Sequence, residues 1–116
     1  MIYVIDDDEI MRECIAKACG NQEVHEFDNI ITAMNAIDEI GLPNLIIMDV
    51  LLTGPDGFMF LNEMLSYEDT AKIPIVIVSA VDFQKKDLSV YGVVATLNKD
   101  TFVPGDIQRL VDKYAK

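Results

Sequence analysis

Polar groups stand at the ends of apolar runs in this sequence. Asp6 and Asp7 follow residues 1–5, Asp49 follows 45–48, Ser79 follows 73–78, and Lys99 comes just after 93–97. If those ends share one rim, three carboxylates, a hydroxyl and an ammonium face a common cleft. Two carboxylates about 4 Å apart repel by roughly 4 kcal/mol at an effective dielectric near 20. Folding alone does not require that repulsion, and a divalent cation would relieve it. Hard oxygen ligands with room for water suit Mg2+. One carboxylate free to attack, beside a metal, an ammonium and a hydroxyl that hold oxygens, is equipment for phosphoryl transfer. Singly, each residue has a plainer reading: Asp49 as a turn former, Ser79 as a helix cap, Lys99 as a solvated loop. Jointly, every one sits at a strand end, and the functional reading prevails.

The elements that must position these groups follow from periodicity. Residues 45–48 (Leu-Ile-Ile-Met) are short and apolar throughout, bounded by Pro43 and Asn44 before and by Gly54, Pro55 and Gly57 after. That is the pattern of a strand buried on both faces. Residues 1–5, 24–27, 73–78 and 93–97 read as the other strands. A first helix runs from Asp8, its cap, to about Cys19, with Met11, Ile15 and Ala18 inward and Gly20 as its stop. A second covers about 29–40, with Ile30, Met34, Ile37 and Ile40 on one face and Gly41 after it. A third covers about 58–67, with Phe58, Leu61 and Leu65 in step. Asp82 can cap a weak fourth helix ending near Gly92. Pro104 opens the last helix, which carries Ile107, Leu110, Val111 and Tyr114. Strands separated by helices pair in parallel through right-handed crossovers. The expected fold is α/β: a doubly wound, five-stranded parallel sheet of flavodoxin-like (βα)5 type, strand order 2-1-3-4-5. In such sheets ligands bind outside the carboxyl ends of the strands.

Composition narrows the function classes. With 116 residues, 51% of them apolar, the chain has material for one domain with a real core. No apolar run approaches the roughly 20 residues of a membrane span, and no basic-then-apolar signal segment opens the chain. The expectation is a cytoplasmic protein with no membrane partner. A formal net charge of −11 argues against direct nucleic-acid binding, which runs on clustered Lys and Arg. Cys14 and Cys19 lie five apart on one helix with no neighbouring histidine, so zinc is not expected and buried free thiols are. His25, on a short strand, has no helical presentation and reads as a surface residue rather than a phosphohistidine.

The chain resembles, over nearly all its length, the receiver domain of bacterial two-component response regulators. The resemblance rests on Asp6-Asp7 after the first strand, Asp49 with Asp56-Gly57 in the following turn, Ser79-Ala80, and Lys99. It implies that Asp49 accepts a phosphoryl group from a sensor histidine kinase or a histidine phosphotransfer protein. It further implies that Asp7 and Asp49 bind Mg2+ directly, Asp6 through water, and the Leu51 backbone carbonyl as a further ligand. Ser79 and Lys99 would hold phosphoryl oxygens, and the rearranged surface would engage a downstream protein target. No output domain follows the last helix, so the expectation is a single receiver domain over residues 1–116.

The sequence departs from the family pattern in places. Asp100 follows Lys99 where a proline in a cis peptide is usual, and a non-proline cis bond costs about 2.5–4 kcal/mol. Thr96 occupies the usual aromatic switch position, so any coupling is expected to be looser or to use Tyr91 or Phe102 instead. Thr53 replaces a usual proline, with Pro55 displaced. Two other readings compete. Asp6-x-Asp8, Ser79 and Lys99 also fit the motif order of a haloacid-dehalogenase-like phosphatase, with Asp6 as nucleophile and Asp8 as general acid. That reading gives Asp49 no role and lacks an acidic pair after Lys99. The other is a receiver-like binding module that works by contact without phosphorylation.

Overall fold

The structure, a computed structural model, describes residues 1–51, 57–81 and 88–115. The sequence readings on Thr53, Pro55, Asp56 and Asp82 lie outside the described residues. Five strands form one parallel sheet: β1 (Ile2–Ile5), β2 (Val24–Phe27), β3 (Leu45–Met48), β4 (Ile75–Ser79) and β5 (Val93–Asn98). Their order is β2-β1-β3-β4-β5, as the sequence implied. Among the described residues the helices are α1 (Glu9–Ala18), α2 (Ile30–Glu39), α3 (Gly57–Leu65) and α4 (Pro104–Tyr114), with a 3-10 turn at Ser89–Tyr91.

Strand pleating divides the core in two. Tyr3, Ile5, Ile46, Met48, Ile75 and Ile77 turn to the side covered by α2 and α3. Ile2, Val4, Leu45, Ile47, Val76 and Val78 turn to the side covered by α1 and α4. Successive side chains point to opposite faces, so a strand covered on both sides must be apolar throughout. This is why β1, β3 and β4 are buried along their whole length while the edge strand β2 is only half-buried.

Local chemistry sets the helix ends. The Asp8 carboxylate accepts hydrogen bonds from the Ile10 and Met11 amides at 3.0 and 3.2 Å, capping α1. Asn29 caps α2 by accepting from the Thr32 amide at 2.9 Å. Pro104 opens α4, where its missing N–H costs nothing. Between β4 and β5 the register slips after Ile75, which pairs with Val93, while Val76 pairs with Ala95. That irregularity brings Ser79 opposite Asn98 and leaves Lys99 as the first residue beyond the strand.

The structure corrects several inward faces. Ile40 is the C-cap of α2 and stays 49% exposed; Ala33 and Ala36 are buried instead, with Met34 and Ile37 packed beside them. On α3 the buried residues are Gly57, Phe60, Leu61 and Met64, and Leu65 faces outward. Cys19 is a buried thiol but Cys14 is exposed. Five residues correspond to about 140° around a helix, so both cannot face one core.

Among the described glycines, Gly57 makes the close backbone approach that bears on the site. A Cβ there would lie 2.5 Å from the Val50 Cα and 2.6 Å from its carbonyl oxygen, immediately after Asp49. Backbone cannot rotate out of the way as a side chain can. Gly57→Ala is therefore expected to lower stability by about 2 kcal/mol, within the range for overpacking. Urea unfolding would measure it, and an unchanged midpoint would show that the Val50–Gly57 contact relaxes without cost.

Candidate functional site

Backbone bonds set the rim before any side chain acts. The Asp49 amide donates to the Ile5 carbonyl at 3.1 Å, extending the β1–β3 ladder one residue beyond Met48. The Lys99 amide donates to the Ser79 carbonyl at 2.8 Å, doing the same for β4 and β5. The Asp6 amide donates to Phe27 at 3.0 Å. Asp6, Asp49, Ser79 and Lys99 are thus brought to one sheet edge by the ladders themselves.

There the side chains of Asp6, Asp49 and Lys99 converge. Lys99 Nζ lies 2.9 Å from Asp49 Oδ2 and 3.0 Å from Asp6 Oδ2. Asp6 and Asp49 are buried, only 1% and 5% exposed. Their remaining oxygens are used locally: Asp6 Oδ1 accepts from the Asp8 amide at 2.9 Å, and Asp49 Oδ1 from the Leu51 amide at 2.8 Å. Asp6 Oδ2 is buried without a hydrogen bond; the ammonium beside it donates to Asp6 Oδ1 instead, at 3.3 Å. Burial pushes the Asp6 carboxyl above its ordinary range, against the Asp8 amide and Lys99, which favour the charged form. For Lys99, burial acts to lower the pKa, but the hydrogen bonds and charges of Asp49 and Asp6 prevail and raise it.

Ser79 is fully buried at the end of β4, its Oγ accepting from the Val81 amide at 3.3 Å. Leu51 and Val81, each two residues past a reactive side chain, are about half exposed, at 50% and 48%. Asp7 is exposed beside this edge. Among the described residues no three His, Cys, Asp or Glu side chains converge as a ready ion cage. The donor set nevertheless suits Mg2+: hard carboxylate and carbonyl oxygens, one of them a buried carboxylate oxygen without a hydrogen bond. Asp8, needed as an acid by the phosphatase reading, has an oxygen bound to two helix amides instead. Lys99 and Asp100 are joined by a trans peptide, as no cis bond occurs among the described residues.

Sequence reasoning missed Arg12. From α1 its Nη1 donates to the Asp6 carbonyl at 2.9 Å, while Nε lies 3.3 Å from Glu26 on β2. It ties helix, edge strand and acidic turn together. The available signal was an arginine one helical turn after the Asp8 cap, where a long side chain can reach back to the strand end.

A doubly wound parallel sheet carrying a buried acidic pair and a lysine at its carboxyl edge defines the class of molecule. The profile of the response regulator receiver domain matches residues 2–113. The chain belongs to that family. Solved structures agree in fold. A protein of Chloroflexus aurantiacus assigned to the response regulators is 25% identical, with a TM-score of 0.84, covering 97% of this chain and 93% of that one. The chemotaxis response regulator CheY4 of Vibrio cholerae is 20% identical with a TM-score of 0.79, covering 97% and 95%. The response regulator TrrA of Thermotoga maritima, solved in complex with Mg2+ and BeF, is 22% identical with a TM-score of 0.80, covering 97% and 96%. No curated protein matches the sequence. Among the described residues no helix is long and apolar enough to cross a membrane.

Proposed function

We propose that this domain is a phosphorylation switch, not a turnover enzyme, in which Asp49 accepts a phosphoryl group from the phosphohistidine of a sensor kinase or a histidine phosphotransfer protein. The observation that carries this is the Asp6–Lys99–Asp49 cluster: one ammonium within 3.0 Å of two nearly inaccessible carboxylates at the carboxyl edge of the sheet. An oxygen of Asp49 forms the new bond to phosphorus while the bond to the donor nitrogen breaks, its electron pair staying on the imidazole. Lys99 is already within reach of Asp49 and can pair with a phosphoryl oxygen there. Ser79 offers a hydroxyl from the neighbouring strand end, once it leaves the Val81 amide. Asp6, Asp7, Asp49 and the Leu51 carbonyl would hold Mg2+, a reading supported by the metal in the related TrrA structure. A bound divalent ion supplies charge neutralisation for the phosphoryl oxygens. Transfer of this kind depends mostly on positioning and electrostatics. The work would take place in the cytoplasm, and the altered surface would engage a downstream protein rather than a nucleic acid or a membrane.

Intact mass after incubation with a small phosphodonor and Mg2+ tests the reading. The wild type is expected to gain one phosphoryl group, and Asp49→Asn none. An equal gain in the variant would move the acceptor elsewhere. No gain in the wild type would favour a domain that works by contact alone.

The lifetime of the acyl phosphate follows from Leu51 and Val81. Hydrolysis needs a water in line with the leaving carboxylate, and a polar neighbour can orient it. Both flanking side chains are apolar, and their amides bond to Asp49 Oδ1 and Ser79 Oγ, so they are held beside the reactive atoms. They can cover a phosphoryl group but cannot hold a water. Decay over minutes or longer is expected at neutral pH with Mg2+. Leu51→Asn combined with Val81→Glu should shorten it at least about tenfold, roughly 1.4 kcal/mol of barrier. Decay of the phosphoprotein by mass gives the answer; loss within seconds in the wild type would refute the apolar shield.

A further inference from the structure

At the opposite end of the molecule, the C-terminal ends of α2 and α3 enclose a groove of about 340 Å³. Its floor is apolar, formed by Met34, Ile37 and Met64. Asp38, Glu63 and Asp69 line it too, with the exposed Tyr67, and no Lys or Arg does so among the described residues. Among the described residues none of the three carboxylates has an ion-pair partner; Asp69 accepts only the Thr70 amide, at 2.9 Å. The helices add to this charge. A helix C-terminus carries about half a negative elementary charge, usually offset by a basic residue in the last turn. Neither α2 nor α3 has one. The Tyr3 hydroxyl donates to the Ala36 and Gly41 carbonyls at 3.0 and 2.7 Å, so the end of α2 receives a neutral donor and, among the described residues, no cation.

We infer that this groove is a docking site for a partner protein segment that inserts an arginine side chain. The arginine stem would lie along the methionine floor, its guanidinium would meet the carboxylates, and its plane can stack on Tyr67. Methionine side chains adapt to variable apolar surfaces, and the volume falls in the range of pockets that bury a side chain or small ligand. Phosphorylation at Asp49 is not required, because the groove is formed at the far end of the sheet.

The test uses the isotope-labelled protein and a helical peptide of alternating leucine and arginine pairs, with citrulline replacing arginine as a neutral isostere. Saturable amide shifts at the C-terminal ends of α2 and α3 are expected with the arginine peptide and not with citrulline. Glu63→Lys should weaken binding at least about tenfold, the value of one well-placed charge contact near 1.4 kcal/mol. Asp112→Lys changes net charge equally on the exposed face of α4 and should alter it less than about twofold. Equal weakening by both variants would reduce the effect to bulk attraction by an acidic protein and overturn the proposal. So would equal binding of the citrulline peptide, shifts centred on Asp6 and Asp49, or no binding at all.

Discussion

Replacing Lys99 by methionine is expected to lower the stability of the metal-free domain by about 3–4 kcal/mol at pH 7, within the cost of breaking a buried ion pair. Methionine keeps much of the side-chain volume, so the loss is electrostatic. It leaves Asp6 and Asp49, 1% and 5% exposed, with no ammonium between them. The effect has a definite pH dependence. Lys99 is raised above its ordinary value in the folded state, so its contribution is complete below the unfolded value near 10.5 and is lost as pH rises through the folded one. Asp6 is also raised, chiefly by burial. For a carboxyl raised on folding, the native state holds its proton more tightly, so its ionisation costs stability above the folded pKa. That cost is relieved as pH falls toward the unfolded value of 3.8. Without Lys99, which favours the charged form of Asp6, that carboxyl should bind a proton more readily, and the variant should regain stability in acid. Urea unfolding of both proteins in EDTA, at pH 7 and near pH 4, measures this. An equal difference at the two pH values would mean that Lys99 acts through packing and not through charge.

The arrangement of that cluster was legible because parallel topology leaves little freedom. Once residues 45–48 read as a strand buried on both faces, Asp49 had to stand at its carboxyl edge, with Asp6 on the adjacent strand and Lys99 two strands away on the same rim. The ladders that continue to the Asp49 and Lys99 amides make that inference physical. Helix faces were less legible. In α2 nearly every candidate inward residue is apolar, so 3.6-residue spacing allowed Ile40 as readily as Ala33; the helix ends first and leaves Ile40 outside. The irregularity between β4 and β5 had no local mark, because Val93 and Val94 are interchangeable by composition. Arg12 and Gly57 were hidden for another reason. Each acts on backbone from a distant part of the chain, the Asp6 carbonyl in one case and Val50 in the other. Spacing within one element carries no record of such contacts.

Magnesium is expected to raise the melting temperature in a saturable way. An ion that binds only the native state adds about 2.7 kcal/mol at a hundredfold excess over its dissociation constant. The ligands invoked lie on two adjoining turns: Asp6 and Asp7 after β1, Asp49 and Leu51 after β3. The Asp49–Ile5 backbone bond of 3.1 Å holds those turns together. Asp6 Oδ2 is buried and without a hydrogen bond, and it adjoins an ammonium already shared with Asp49. More positive charge in this place lessens the repulsion that two buried carboxylates impose on one another. Asp7 contributes differently. It is exposed, so its removal takes away a ligand without opening a cavity. Asp7→Ala should therefore leave the metal-free melting temperature nearly unchanged and abolish most of the magnesium gain. Thermal unfolding across a magnesium titration, with calcium and high salt as controls, separates specific binding from general screening of an acidic surface. A variant that still responds as the wild type does would remove Asp7 from the ligand set, and a wild type that responds only as it does to salt would remove the site.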